Sequence, residues 1–253
     1  MSINFDNIGT EIATIYKPNG KRLKDVFVDT ENDGLDKIRI NDDTYFFPTI
    51  SNFDETEQVD RIYICGESGV GKSSFIREYV LKFLEQYPKA SILLFSSKSE
   101  DKQLDDLPNM VRVSIDEDIV NNPYTLDEIC SNSPITLTIF DDIEDFSNKK
   151  INKEIARLRD EIMRNGRSKG VFSIFSHHNP TDYSHTRNMI FEANKVIIFP
   201  RRSGKGTYNY LLEKKLLINK EQIDLINTLK SSYVVICKQM PKCIISNKYI
   251  ILC

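Results

Sequence analysis

Residues 61–74 read RIYICGESGVGKSS: an apolar run, then three glycines within six positions, then a lysine and two serines. The apolar run RIYIC reads as a short buried strand, and KSSFIREYVLKFLEQY after the glycines reads as an amphipathic helix over about 72–87. Between them, Gly66-Glu67-Ser68-Gly69-Val70-Gly71-Lys72-Ser73 fits G-x-x-x-x-G-K-[ST] without a mismatch, in the strand-then-helix context that gives this pattern its meaning. Glycines let the backbone curl so that successive N–H groups point inward at an anion, and the helix start adds the positive end of its dipole. Lys72 is placed to reach the outer phosphates of a nucleotide and the Ser73 hydroxyl to ligate Mg²⁺, with Ser74 as a secondary contact.

Working outward, ITLTIFDDIEDF puts Asp141 and Asp142 directly after an apolar run, where a strand end opens into the ligand crevice of an α/β sheet. Asp141 fits the carboxylate that holds the Mg²⁺ shell through water. Asp142 is the candidate general base for an attacking water, with Glu144 in reserve. Two further apolar runs, 91–96 and 111–115, lie between the motifs, so an extra strand is expected between the phosphate-loop strand and the acidic strand. That insertion marks the additional-strand class of ATPases. The segments NKKI and NKYI lack the aspartate of an NKxD guanine reader, which favours ATP over GTP. VFSIFSHHNP ends a third strand in polar residues, of which His177 is the candidate γ-phosphate sensor. A tandem His-His on an extended chain points its rings apart and has no nearby CxxC or HxH to complete a metal site.

The rest of the chain supports one large α/β domain with a small appendage. Its 253 residues carry 34 Lys and Arg against 37 Asp and Glu, a formal charge of −3, so no global positive field draws a monomer onto nucleic acid or an anionic membrane. Residues 1–58 alternate apolar and polar positions between turn signals such as KPNGK and ENDG, which predicts a small β-rich element. SNFDETEQVD (51–60) reads as its linker to an ATPase domain over 59–253. There, short buried strands (61–65, 91–96, 111–115, 135–140, 171–176, 195–200) alternate with helices at about 72–87, 148–165, 182–193 and 220–230. This is the pattern of a central, mostly parallel sheet in a P-loop NTPase. The five cysteines show no CxxC spacing, and the chain shows neither an apolar leader nor a run long enough to span a membrane. A soluble, reduced, intracellular protein is expected.

With these motifs in place, the chain resembles the FtsK-HerA superfamily of ring-forming DNA motors. Within it, the likeness is to the viral genome-packaging ATPases of the poxvirus and giant-virus type. The resemblance covers about residues 60–253 and rests on GESGVGKSS, TIFDDIED, RLRDEIMRNGRSKGVFSIFSHH and HTRNMIFEANKVIIFP. Asp-Asp stands where the family often has Asp-Glu, and His177 where it often has Gln or Asn. The resemblance implies a homo-oligomeric ring of five or six copies with ATP sites between subunits, completed in trans by an arginine finger for which Arg167 and Arg187 are the candidates. It also implies double-stranded DNA and a capsid or portal-vertex protein as partners. The expected location is the host cytoplasm or viral factory, with virion association besides. The basic loop RRSGKG (201–206), and secondarily KKINKE (149–154), could contact DNA phosphate.

The leading reading is an ATP-hydrolysing translocase that packages viral double-stranded DNA. The alternatives are a small-molecule phosphotransferase (kinase), against which stands the lack of an arginine-rich lid insertion, and a nucleotide-gated regulatory ATPase module.

Overall fold

The computed structural model describes residues 1–143, 146–178, 183–229 and 231–253. The chain divides into two compact units, Ile50–Ala193 and Met1–Thr49 with Asn194–Cys253. These bounds differ from the expected division at 58/59, because the N-terminal strands group with the end of the chain.

In Ile50–Ala193, the strands Arg61–Cys65, Ser91–Ser96, Met110–Ser114, Thr136–Asp141 and Val171–His177 all run parallel. Their spatial order is Arg61–Cys65, Val171–His177, Thr136–Asp141, Ser91–Ser96, Met110–Ser114. The expected additional strand is therefore present, but it is Val171–His177 and not 91–96 or 111–115. Those two lie on the far side of the acidic strand, since adjacency in sequence does not fix adjacency in a sheet whose parallel connections cross over.

Aromatic packing fixes the register. Phe95, Phe140 and Phe175 are direct cross-strand partners and stack at 4.7 and 5.0 Å between ring centroids. One residue further along, the same register aligns Ser96, Asp141 and Ser176 as a polar row at the strand ends. The helix Lys72–Gln86 buries Phe75, Ile76, Tyr79, Val80 and Phe83, a three- and four-residue spacing that presents one apolar face. Phe83 meets Phe172 edge-on at 5.0 Å, anchoring that helix to the inserted strand. The helix Lys149–Asn165 buries Ile151, Ile155, Leu158 and Ile162 at the same spacing.

The expected linker 51–60 is not wholly solvated. Asp60 is fully buried, accepting hydrogen bonds from Ser51 Oγ at 2.7 Å and from the buried Tyr79 hydroxyl at 2.7 Å. Burial, and after it the Asp60 charge, push the Tyr79 phenol well above its ordinary pKa. Asp60→Ala leaves that hydroxyl buried without its acceptor, so a loss of about 1–3 kcal/mol in denaturant unfolding is expected. An unchanged midpoint would show that the carboxylate is not a tie.

In the other unit, the strands Ser2–Asn4, Thr10–Tyr16, Arg22–Asp29 and Tyr45–Pro48 form an antiparallel sheet. The expected KPNGK hairpin is there: Lys17 N donates to Lys21 O at 2.9 Å, and Gly20 takes the left-handed φ of 82° that closes the turn. Lys37–Arg39 instead pairs with Tyr249–Leu252, in an antiparallel run that continues through Cys243–Ser246 and Val234–Cys237 to Lys195–Ile198. The 195–200 run, expected among the parallel strands, thus pairs antiparallel with Val234–Cys237.

Candidate active site

The phosphate loop begins where Arg61–Cys65 ends. Gly66 N donates to His177 O at 3.1 Å, tying the loop to the inserted strand. Gly69 and Gly71 take φ values of 76° and 116°, a left-handed region costly for any residue with a side chain. Gly71 is also the N-cap of Lys72–Gln86, so no cap side chain satisfies the first amides of that helix. Glu67, Ser68 and Gly69 form the exposed rim, while Val70 packs inward.

Lys72 is 7% exposed, and its ammonium donates to Gly66 O at 2.8 Å and Glu67 O at 3.2 Å and lies 3.0 Å from His178 Nδ1. A buried ammonium held by two carbonyls and a ring nitrogen, inside a glycine-shaped loop at a helix start, fits a phosphate group as counter-charge. Ser73 follows it, half-buried, in the position expected of a Mg²⁺ ligand. Ser74 is exposed, and its hydroxyl donates to Gln103 Oε1 at 3.2 Å.

The polar row supplies the acidic side. Asp141 is 2% exposed, and burial, then the neighbouring Asp142, raise its pKa, with the nearby Ser176 hydroxyl and the Lys98 and Lys72 charges acting the other way. A cation beside it would offset both effects, which suits the expected Mg²⁺ role. Asp142 leaves the strand with a φ of 51°, in the left-handed region that aspartate tolerates better than most residues. Its backbone oxygen accepts from Ser97 Oγ at 2.5 Å. Its carboxylate pairs with Lys98 through Oδ2 and with His178 Nε2 through Oδ1. Burial pushes its pKa up, but the Lys98 contact and the His178 and Lys72 charges outweigh that and hold it below the usual aspartate value.

His178 therefore bridges the two halves of the site. Its Nδ1 faces the Lys72 ammonium and its Nε2 faces Asp142 Oδ1. The expected sensor, His177, lies elsewhere: it is buried with its ring 5.9 Å from Tyr63, on the sheet face opposite Ser176 and Asp141. The pleat explains this, because side chains of one face recur every second residue, so Ser176 and His178 go together and His177 does not. That period was the signal in FSHH that could have selected His178.

Glu144 lies outside the described residues. Arg167 is exposed in the turn before Val171–His177, at the strand ends away from the phosphate loop, a distance of about 20 Å for a strand of this length. Arg187 is exposed on the helix Tyr183–Glu192, which follows the site end of that strand. Among the described residues, no three His, Cys, Asp or Glu side chains converge to hold a metal unaided.

No protein-family model matches the chain. Over 182 residues, 71% of each chain, it is 30% identical to uncharacterized protein V3 of Sputnik virophage. In structure it resembles B204, the DNA-packaging ATPase from Sulfolobus turreted icosahedral virus, with a TM-score of 0.52 and 19% identity over 74% of this chain and 97% of that one. It also resembles the cytoplasmic domain of the Thermomonospora curvata type VII secretion ATPase EccC, with a TM-score of 0.57 and 13% identity over 85% of this chain and 28% of the other.

Proposed function

We propose that the chain, which belongs with protein V3 of Sputnik virophage and shares the fold of B204 and EccC, is an FtsK-HerA-type, ATP-hydrolysing motor that moves viral double-stranded DNA into a capsid. The observation that supports this most is the Lys72–His178–Asp142 alignment, which joins a phosphate cradle to a candidate base at one end of a parallel sheet. Lys72 would leave the loop carbonyls and offset charge on the β- and γ-phosphates. The Ser73 hydroxyl and Asp141 would hold Mg²⁺, which when bound neutralises phosphate charge. Asp142 would take the proton of the attacking water, with His178 fixing its orientation and meeting the phosphate side through Lys72.

Such a site is completed by a cation that appears only when a neighbour docks. Arg187 is the first choice and Arg167 the rival. Exposed Arg201 and Arg202, with Lys149, Lys150 and Lys153, supply the cations for contact with DNA phosphate. A capsid or portal-vertex protein would anchor the ring, in the host cytoplasm or viral factory and in association with the virion. No helix among the described residues is long and apolar enough to cross a membrane.

Subunit mixing tests the reading. Arg187→Ala and Lys72→Ala subunits should each be inactive, and an equimolar mixture should regain activity, because about a quarter of the head-to-tail interfaces then join an intact pocket to an intact arginine. Arg167→Ala mixed the same way tests the rival. No recovery in either mixture would remove the shared site.

A further inference from the structure

The helix Lys149–Asn165 carries a charge inside its apolar face. Arg159 is buried along with Ile155, Leu158, Ile162 and Met163, and its Nε makes no hydrogen bond among the described residues. It pairs with the next residue, Asp160, at 4.0 Å, and burial pushes its pKa down against the effect of Asp160 and Tyr63. Asp160 Oδ1, on the Arg159 side, is buried and accepts no hydrogen bond among the described residues, while Oδ2 accepts from Asn188 Nδ2 at 3.1 Å. A pair set this way adds little to the stability of the fold, since apolar side chains of similar volume are often as stable or more so in its place. What it does supply is a tie from this helix to Asn188, the residue after Arg187.

Asn188 belongs to the helix Tyr183–Glu192, on which Thr186, Met189 and Ile190 are buried. Glu192, its last residue, pairs at 3.6 Å with Arg61, the first residue of the strand that leads into the phosphate loop. Arg187 is exposed among these contacts. Burial of Met189 and Ile190 is non-directional and holds the helix against the unit, whereas the Asn188–Asp160 hydrogen bond is directional and fixes the helix about its own axis. With side-chain tips about 5–6 Å from a helix axis, a turn of about 20° carries them about 2 Å. A misplacement of about 1 Å in a group that acts on the reacting atoms can cost about 10²-fold in rate.

We propose that Asp160 is a positioning residue: through Asn188 it sets the rotation of the helix Tyr183–Glu192 and so aims Arg187 at the phosphate site of a neighbouring copy, with Arg159 as its counter-charge. The proposal rests on the ATPase reading with Arg187 as the arginine supplied in trans, and adds the residues that hold that arginine on target. Asp160 meets neither nucleotide nor metal in this scheme and acts through Asn188 and Arg187 alone.

Asp160→Ala, Asn188→Ala and Asp160→Asn should be compared with wild type for steady-state ATP turnover and thermal unfolding, then mixed pairwise with Lys72→Ala and Arg187→Ala subunits. The Asp160–Asn188 contact is partly exposed, so all three variants are expected to fold. Asp160→Ala and Asn188→Ala should each lower kcat by roughly 10- to 100-fold with KM for ATP unchanged, while Asp160→Asn, which keeps an oxygen for Asn188 to donate to, stays within about 3-fold of wild type. Asp160→Ala should regain activity when mixed with Lys72→Ala, which brings a well-aimed arginine, and should regain nothing with Arg187→Ala, which lacks it. Recovery with Arg187→Ala would overturn the proposal and place the defect in the variant's own pocket, and activity restored by neither partner would make the contact merely structural. Should Asp160→Ala fail to fold, Asn188→Ala decides by the same pattern. Wild-type turnover in both alanine variants beside an inactive Arg187→Ala sinks the proposal alone, whereas an active Arg187→Ala removes the trans arginine and the proposal with it.

Discussion

Lys72→Ala should reduce ATP turnover to background, a loss of about 10³-fold or more, while the protein remains folded. The ammonium is buried, but its described partners are two loop carbonyls and the His178 ring. Its removal leaves Asp142 still paired with Lys98, and the helix behind it keeps the anchors Phe75, Tyr79 and Phe83. Turnover, thermal unfolding and nucleotide binding should be measured on one preparation. The expected result is lost turnover, weakened nucleotide binding and an unfolding temperature close to wild type. Turnover near wild type would remove the phosphate-loop assignment, whatever the fold resembles.

Asp142→Asn separates binding from chemistry. Asparagine keeps the size of the side chain but cannot accept the proton, so hydrolysis should drop by roughly 10²- to 10⁴-fold while nucleotide still binds. The substitution also breaks the ion pair with Lys98, a partly exposed contact whose loss is expected to cost little stability. Should Asp142→Asn turn over normally while Glu144→Gln does not, the base is Glu144.

These expectations rest on parts of the site that differ in how far the sequence displays them. The phosphate loop was legible because it is local: one strand, three glycines and one helix start carry the whole pattern within fourteen residues. The acidic motif was legible for the same reason, at the end of an apolar run. What joins the two was not. Lys98 and His178 reach Asp142 from different strand ends, and only the spatial order of the strands brings them together. That order also sets the inserted strand: two apolar runs between the motifs resemble the insertion, and Val171–His177, later in the chain, supplies it. Which of His177 and His178 shares a face with Asp141 follows from the two-residue period only once the strand register is known. Asp60 sat in a polar stretch that reads as solvated, and only its pairing with Tyr79 on a neighbouring helix shows it to be a buried tie.

Steady-state ATP turnover per subunit, measured with and without double-stranded DNA across a range of protein concentrations, decides whether this phosphate site drives movement along DNA. Turnover should rise with concentration as neighbours complete each other's sites, and rise further when DNA orders the ring. Turnover that is flat from dilute protein upward and indifferent to DNA would contradict the translocase, and phosphate transfer to a small metabolite under the same conditions would identify a phosphotransferase instead.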